Sequence, residues 1–132
     1  SSAIYLSTYL DHRGSSTAKW MGLVGAGSGT TSSDFGAKMA SGCYWTVPVT
    51  GNLDSCRIVM EASYGSSTSI KVYVNDSLVR SITQSLTSTG VGNDYNVTLD
   101  ADANAGDSIN VKVDPSVSSP QASNWTFKYI PD

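Results

Sequence analysis

Alternation of apolar and polar residues with period two runs through most of this chain from residue 44 onward, and few folds accommodate it. Four pieces carry the pattern: Tyr44 to Ser63, Ser69 to Val79, Tyr95 to Val113, and Asn124 to Ile130. Three of the four alternate with period two, which places every second side chain on one face, as in strands packed on a core from one side and solvated on the other. No catalytic residues are threaded between the strands. Turn-rich connections at Gly65 to Thr68, Thr87 to Asp94 and Asp114 to Ser123 set the spacing of an all-β sandwich. Asn75-Asp76-Ser77 marks the tip of a tight turn, and Pro48 and Pro115 sit at strand ends, where a missing N–H costs little.

The first 42 residues read differently. Ala3 to Leu10 is a first strand, Asp11 to Thr17 a polar turn, and Lys19 to Val24 a short apolar piece. Gly25 to Gly42 is dense in glycine and serine and reads as a long loop or arm; only Ser32 to Ala40 offers a turn or two of helix. The expected organisation is a single domain over residues 1–132, with an N-terminal strand and arm over 1–42 and the main sandwich over 43–132.

Charge limits the partners. Charged residues make up 14% of the chain, against roughly 25% in an average soluble domain, and the net charge is −3. No basic patch is evident in the sequence, which argues against nucleic acid as a partner. No apolar run approaches the roughly 20 residues that cross a bilayer as a helix, so no membrane partner is expected.

Catalytic and metal chemistry find little footing. His12 is the lone histidine and reads as an exposed turn residue; Glu61 is the lone glutamate, and no G-x-S-x-G elbow accompanies the many serines. Asp100, Asp102, Asn104 and Asp107 resemble the opening of a calcium loop, but Ala105 stands where glycine is needed and Val111 where the bidentate acid belongs, so a polar turn is expected. No cofactor or metal is implied. Cys43 and Cys56 flank the turn around Pro48 to Asn52; a simple hairpin there would set their sulfurs opposite one another, whereas strands in separate sheets would part them. Free buried thiols are the preferred reading.

Pro48, Gly51 and Leu53, then Val72, Val74 and Asn75, then Ala105, Gly106, Asp107, Ile109, Val111 and Val113 reproduce a P-x-x-G-x-L turn, a V-x-V-N hairpin and an A-G-D-x-I-x-V-x-V strand. In this the C-terminal two thirds of the chain resembles the small jelly-roll domains of tailed-phage virion proteins. Asp76 follows Asn75 where that pattern prefers glycine. The resemblance implies an antiparallel jelly-roll β-sandwich with an extended N-terminal segment. It further implies a non-enzymatic virion surface protein, most simply a trimeric capsid decoration (cement) protein whose partners are the major capsid protein and two copies of itself. Ile4, Tyr5, Leu6, Tyr9, Trp20, Met21 and Leu23 are then the contact candidates on the capsid surface. On this reading, removal of Ser1 to Leu10 leaves the sandwich folded and abolishes attachment.

The rival reading is a carbohydrate-binding module or receptor-binding fibre tip that holds a host surface glycan. It rests on Trp20, Trp45 and Trp125, since sugar rings stack on exposed aromatic faces beside amide and carboxylate partners. Coplanar, exposed tryptophans on one face would decide for it.

Overall fold

The computed structural model describes residues 2–13, 15–27 and 44–132. The described residues form ten strands: β1 (Ile4–Asp11), β2 (Lys19–Met21), β3 (Gly25–Gly27), β4 (Trp45–Thr46), β5 (Gly51–Met60), β6 (Gly65–Val74), β7 (Ser77–Leu86), β8 (Tyr95–Ala103), β9 (Ser108–Asp114) and β10 (Ala122–Pro131). They form two sheets. One has the order β3-β1-β10-β5-β8; the other runs β2-β9-β6-β7, with β4 also paired to β9. All pairs are antiparallel except the short parallel contact of β1 with β3.

Setting β3 and β4 aside, the remaining pairs nest: β1 with β10, β2 with β9, β5 with β8, β6 with β7. One long antiparallel ribbon rolled over on itself produces this order, which is the jelly roll. The core lies between the sheets. Its largest fully buried side chains include Trp125, Phe127 and Tyr129, three successive inward positions of β10, a strand flanked on both sides within its sheet. Their polar atoms are satisfied, as burial of Trp and Tyr requires: Trp125 Nε1 donates to Ser123 Oγ at 2.8 Å and Tyr129 Oη to the Val49 carbonyl at 2.6 Å.

The turn between β6 and β7 is built by Asn75 and Asp76, both in the left-handed region at φ 51° and 63°. Two such residues make a type I′ turn, so Asp76 serves here in place of glycine. Asn75 Nδ2 donates to Asp107 Oδ1 at 3.0 Å, and Asp107 Oδ2 accepts the Asn104 amide at 2.8 Å. The V-x-V-N and A-G-D segments therefore touch each other, and the Asp107 carboxyl, held below the usual carboxylate range by these bonds, ties two turns together. Gly65, at φ 105°, starts β6 where a side chain would run into Ser116.

Several expectations are corrected. The division at residue 42 does not follow the architecture, because β1 lies inside the first sheet and β2 extends the second. Leu6, Thr8 and Leu10 of β1 face the core, so Ser1 to Leu10 is not a dispensable arm. The segment from Gly65 to Thr68 is strand rather than turn, and β7 continues seven residues past Val79. Of the two arrangements left open around Pro48, the strands lie in separate sheets: β4 joins the second sheet and β5 the first. Cys56 is a free, buried thiol whose pKa burial pushes up to about 12. Cys43, the arm from residue 28 and the short helix expected over 32–40 lie outside the described residues.

A chain lacking residues 1–10 is expected to lose its cooperative urea transition, since it loses strand pairing along β10 and three core side chains. Leu10→Ala alone should lower unfolding free energy by about 2–5 kcal/mol.

Candidate functional site

The outward side of the first sheet follows directly from the inward side. On β10 the residues between the core aromatics, Asn124, Thr126 and Lys128, point away from the core, as do Tyr5, Ser7 and Tyr9 on β1. Register aligns them in rows: Tyr5 beside Lys128 and Ser55, Ser7 beside Thr126, Arg57 and Asn96, Tyr9 beside Asn124 and Val59. At about 3.3 Å per residue, the four-residue step from Tyr5 to Tyr9 spans roughly 13 Å along the strand. Tyr5 is 64% exposed and Tyr9 38%, which is unusual for large apolar rings on a sheet.

Two shallow clefts occupy this face. One of about 240 Å³ is lined by Tyr5, Ser55, Arg57, Asn96, Thr126 and Lys128. The other, of about 430 Å³, lies at the end of β1 and β10 among Tyr9, Val59, Glu61, Val91 and Asn124. Its wall is the loop from Thr87 to Asp94. Tyr95 Oη accepts the amides of Thr87 and Ser88 at 3.1 and 2.9 Å, and the Gly90 amide donates to the Met60 carbonyl at 2.9 Å, which pins the loop against the sheet end. Arg57 is paired with Asp94 at the base of that loop. The face thus offers two exposed rings, a cation in Lys128, and amide and hydroxyl groups between them.

The structure separates the residues singled out from sequence. Of the contact candidates, Tyr5 and Tyr9 share this face, while Ile4 is only partly exposed beside the core and Trp20 lies on the outer side of the second sheet. Leu6, Met21 and Leu23 belong to the core, the last two completely buried, so they are unavailable to a capsid or a neighbouring copy. Of the sugar-binding tryptophans, Trp125 is fully buried and Trp45 packs edge-on against Tyr129 at 5.2 Å. The three tryptophans therefore form no common exposed platform. Sequence reasoning placed Tyr5 and Tyr9 on a surface but not opposite Lys128 and Asn124; the alternation of β10 was the available signal.

His12 is not an exposed turn residue. It is fully buried at the end of β1, its Nδ1 3.0 Å from Tyr64 Oη, and Tyr64 Oη donates onward to the Gln121 carbonyl and accepts from Ser123 Oγ, both at 2.8 Å. Burial, aided by the positive charge of Lys19, lowers its pKa from 6.5 to about 4. Sealed from solvent, it has no route to a substrate and serves as a structural link. Asp100 and Asp102 point outward from β8 and both accept from Asn52 Nδ2, at 2.9 and 2.8 Å, while Asp107 is occupied in its turn. Among the described residues no group of three or more His, Cys, Asp or Glu side chains converges on a point that could hold a metal.

No protein-family model matches the chain, and no curated protein matches it. Among solved structures, a family 35 carbohydrate-binding module from Clostridium thermocellum is similar at 14% identity and a TM-score of 0.43, over 67% of this chain and 68% of that one. An exo-β-1,3-galactanase from Phanerochaete chrysosporium is similar at 19% identity and a TM-score of 0.37, over 63% of this chain. Dimeric latent PorU from Porphyromonas gingivalis is similar at 13% identity and a TM-score of 0.37, over 97% of this chain. The matched region is 19% of the galactanase chain and 10% of the PorU chain. None reaches 0.5, so function is argued from the geometry of the site.

Because His12 stays neutral in the folded chain, the unfolded chain takes up a proton that the folded one refuses as pH falls below 6.5. Stability should decline between pH 6.5 and about 4, by on the order of 3 kcal/mol, and level off below. Urea midpoints across that range should show the slope in the wild type and a much flatter one in His12→Asn.

Proposed function

We propose that this protein is a non-catalytic carbohydrate-binding module, and that it holds a short oligosaccharide on the outer face of the first sheet. The observation that carries this reading is the exposure of Tyr5 and Tyr9 on one strand face with Asn124, Thr126 and Lys128 alongside. Aromatic rings bury the apolar faces of pyranoses, and neighbouring amides and hydroxyls exchange hydrogen bonds with ring substituents. The roughly 13 Å between the two tyrosines suits a ligand of several sugar units rather than one ring.

The two clefts support a division of labour. Tyr5, with Ser55, Asn96 and Lys128 around it, makes the smaller, more enclosed subsite; Tyr9, with Asn124, Glu61 and the loop carrying Val91, makes a wider, more open end. Val91, 96% exposed, lines the cleft beside Tyr9 and offers an apolar contact to a ligand held there. A pre-formed face loses little conformational freedom on binding, which favours affinity from few contacts.

The virion reading draws less from this surface. On that reading attachment runs through the N-terminal segment and strand-edge or apolar contacts, and of its contact candidates Leu6, Met21 and Leu23 lie in the core. A trimeric decoration protein would have to use the same tyrosine face or the open strand edges.

A glycan array should return neutral oligosaccharides as ligands. Tyr5→Ala and Tyr9→Ala should each weaken the best of them by about tenfold, near 1.4 kcal/mol, with unchanged unfolding midpoints. Trp45→Ala should instead destabilise the fold. Full affinity in a Tyr5→Ala, Tyr9→Ala double variant would contradict the proposal.

A further inference from the structure

The outer face of the second sheet carries an arrangement that fold stability does not explain. Lys71 of β6 and Lys112 of β9 stand directly opposite each other, and Trp20 of β2 stands opposite Lys112 on its other side. Like charges facing each other across a strand pair are destabilising. The chain has a net charge of −3, yet no ion pair among the described residues involves either lysine. The nearest acid on this face, Asp114, lies two residues beyond Lys112 opposite Ser69 and is paired with neither.

Aromatic rings flank the two cations. Trp20 and Tyr73 meet with centroids 4.8 Å apart at a 51° tilt, and Lys112 Nζ lies 5.3 Å from the Trp20 centroid. All four side chains are half-buried, which holds them more firmly than a free surface lysine. Beyond Tyr73 on the same row sits Leu78, 49% exposed. The face therefore combines two adjacent positive charges without a counter-ion and an angled aromatic pair next to them.

An anion between the lysines removes their mutual repulsion, and a ring attached to that anion falls on Trp20 and Tyr73. We propose that this face is a second binding site, for an acidic polysaccharide whose sulfate or carboxylate group sits between Lys71 and Lys112. The site lies on the opposite sheet from Tyr5 and Tyr9 and stands independently of the function assigned to them. Because the lysines remain solvent-accessible, binding weakens with ionic strength.

Affinity electrophoresis of the full chain at low salt through gels containing heparin, polygalacturonate or dextran tests this. Retardation by at least one of the two polyanions is expected, any retardation by dextran being independent of Lys71 and Lys112, and the polyanion that retards identifies sulfate or carboxylate as the preferred group. Lys71→Gln with Lys112→Gln should weaken that interaction at least tenfold without lowering the melting temperature, since it relieves a repulsion. Trp20→Ala should weaken it as well. Arg13→Gln with Arg80→Gln, which removes two charges elsewhere, should weaken it by less than threefold. The proposal is overturned if neither polyanion retards the wild type, if the Lys71→Gln, Lys112→Gln variant loses retardation by dextran as much as by the polyanion, or if the two double variants lose the same factor.

Discussion

The alternation of β10 governs both the stability of this protein and its surface. Its inward residues Trp125, Phe127 and Tyr129 are completely buried, and the strand is paired to β1 on one side and β5 on the other. The same period of two sends Asn124, Thr126 and Lys128 outward into the middle of the sheet. A one-residue slip would exchange the two sets, placing three aromatic rings in water and a lysine in the core. The hydrogen bond from Tyr129 Oη to the Val49 carbonyl, which lies outside the strand, opposes such a slip because it would be broken without replacement. The candidate sugar-binding face is thus rigid because it is the reverse side of the core.

The jelly roll by itself does not choose between the functions considered. Capsid proteins and lectins both use it, and fold does not determine function. What distinguishes them here is where the large apolar and aromatic side chains lie. Met21 and Leu23 close the core beside β9, leaving Tyr5 as an exposed ring among hydrogen-bonding groups and Tyr9 as one that combines Asn124 and Glu61 with the apolar Val59 and Val91. A surface of that composition suits a polar, ring-containing ligand better than the dry centre of a permanent protein interface.

Much of the architecture was legible in the sequence because its signals are local. The first strand, the closing strand from Asn124 and the turn at Asn75 appear where alternation and turn chemistry place them. The far half of β7 was not legible, since an edge strand with Ser81, Thr83 and Ser85 on its solvent side carries little hydrophobic contrast. Burial of short apolar pieces was also hidden: nothing local tells whether Met21 and Leu23 face a core or a partner until β2 is paired to β9. His12 failed for the same reason, because its partner Tyr64 is 52 residues away. The tyrosine face required the register of β1 on β10, a contact between the two ends of the chain.

Amide chemical-shift mapping during titration with the best neutral oligosaccharide from the array tests the central claim most directly. The account predicts saturable shifts clustered on Tyr5 to Tyr9, on Asn124 to Lys128 and in the loop around Val91, with the second sheet silent. Shifts confined to the second sheet or to the turns at Asn75 and Asp107, or an array with no neutral ligand to titrate, would contradict it.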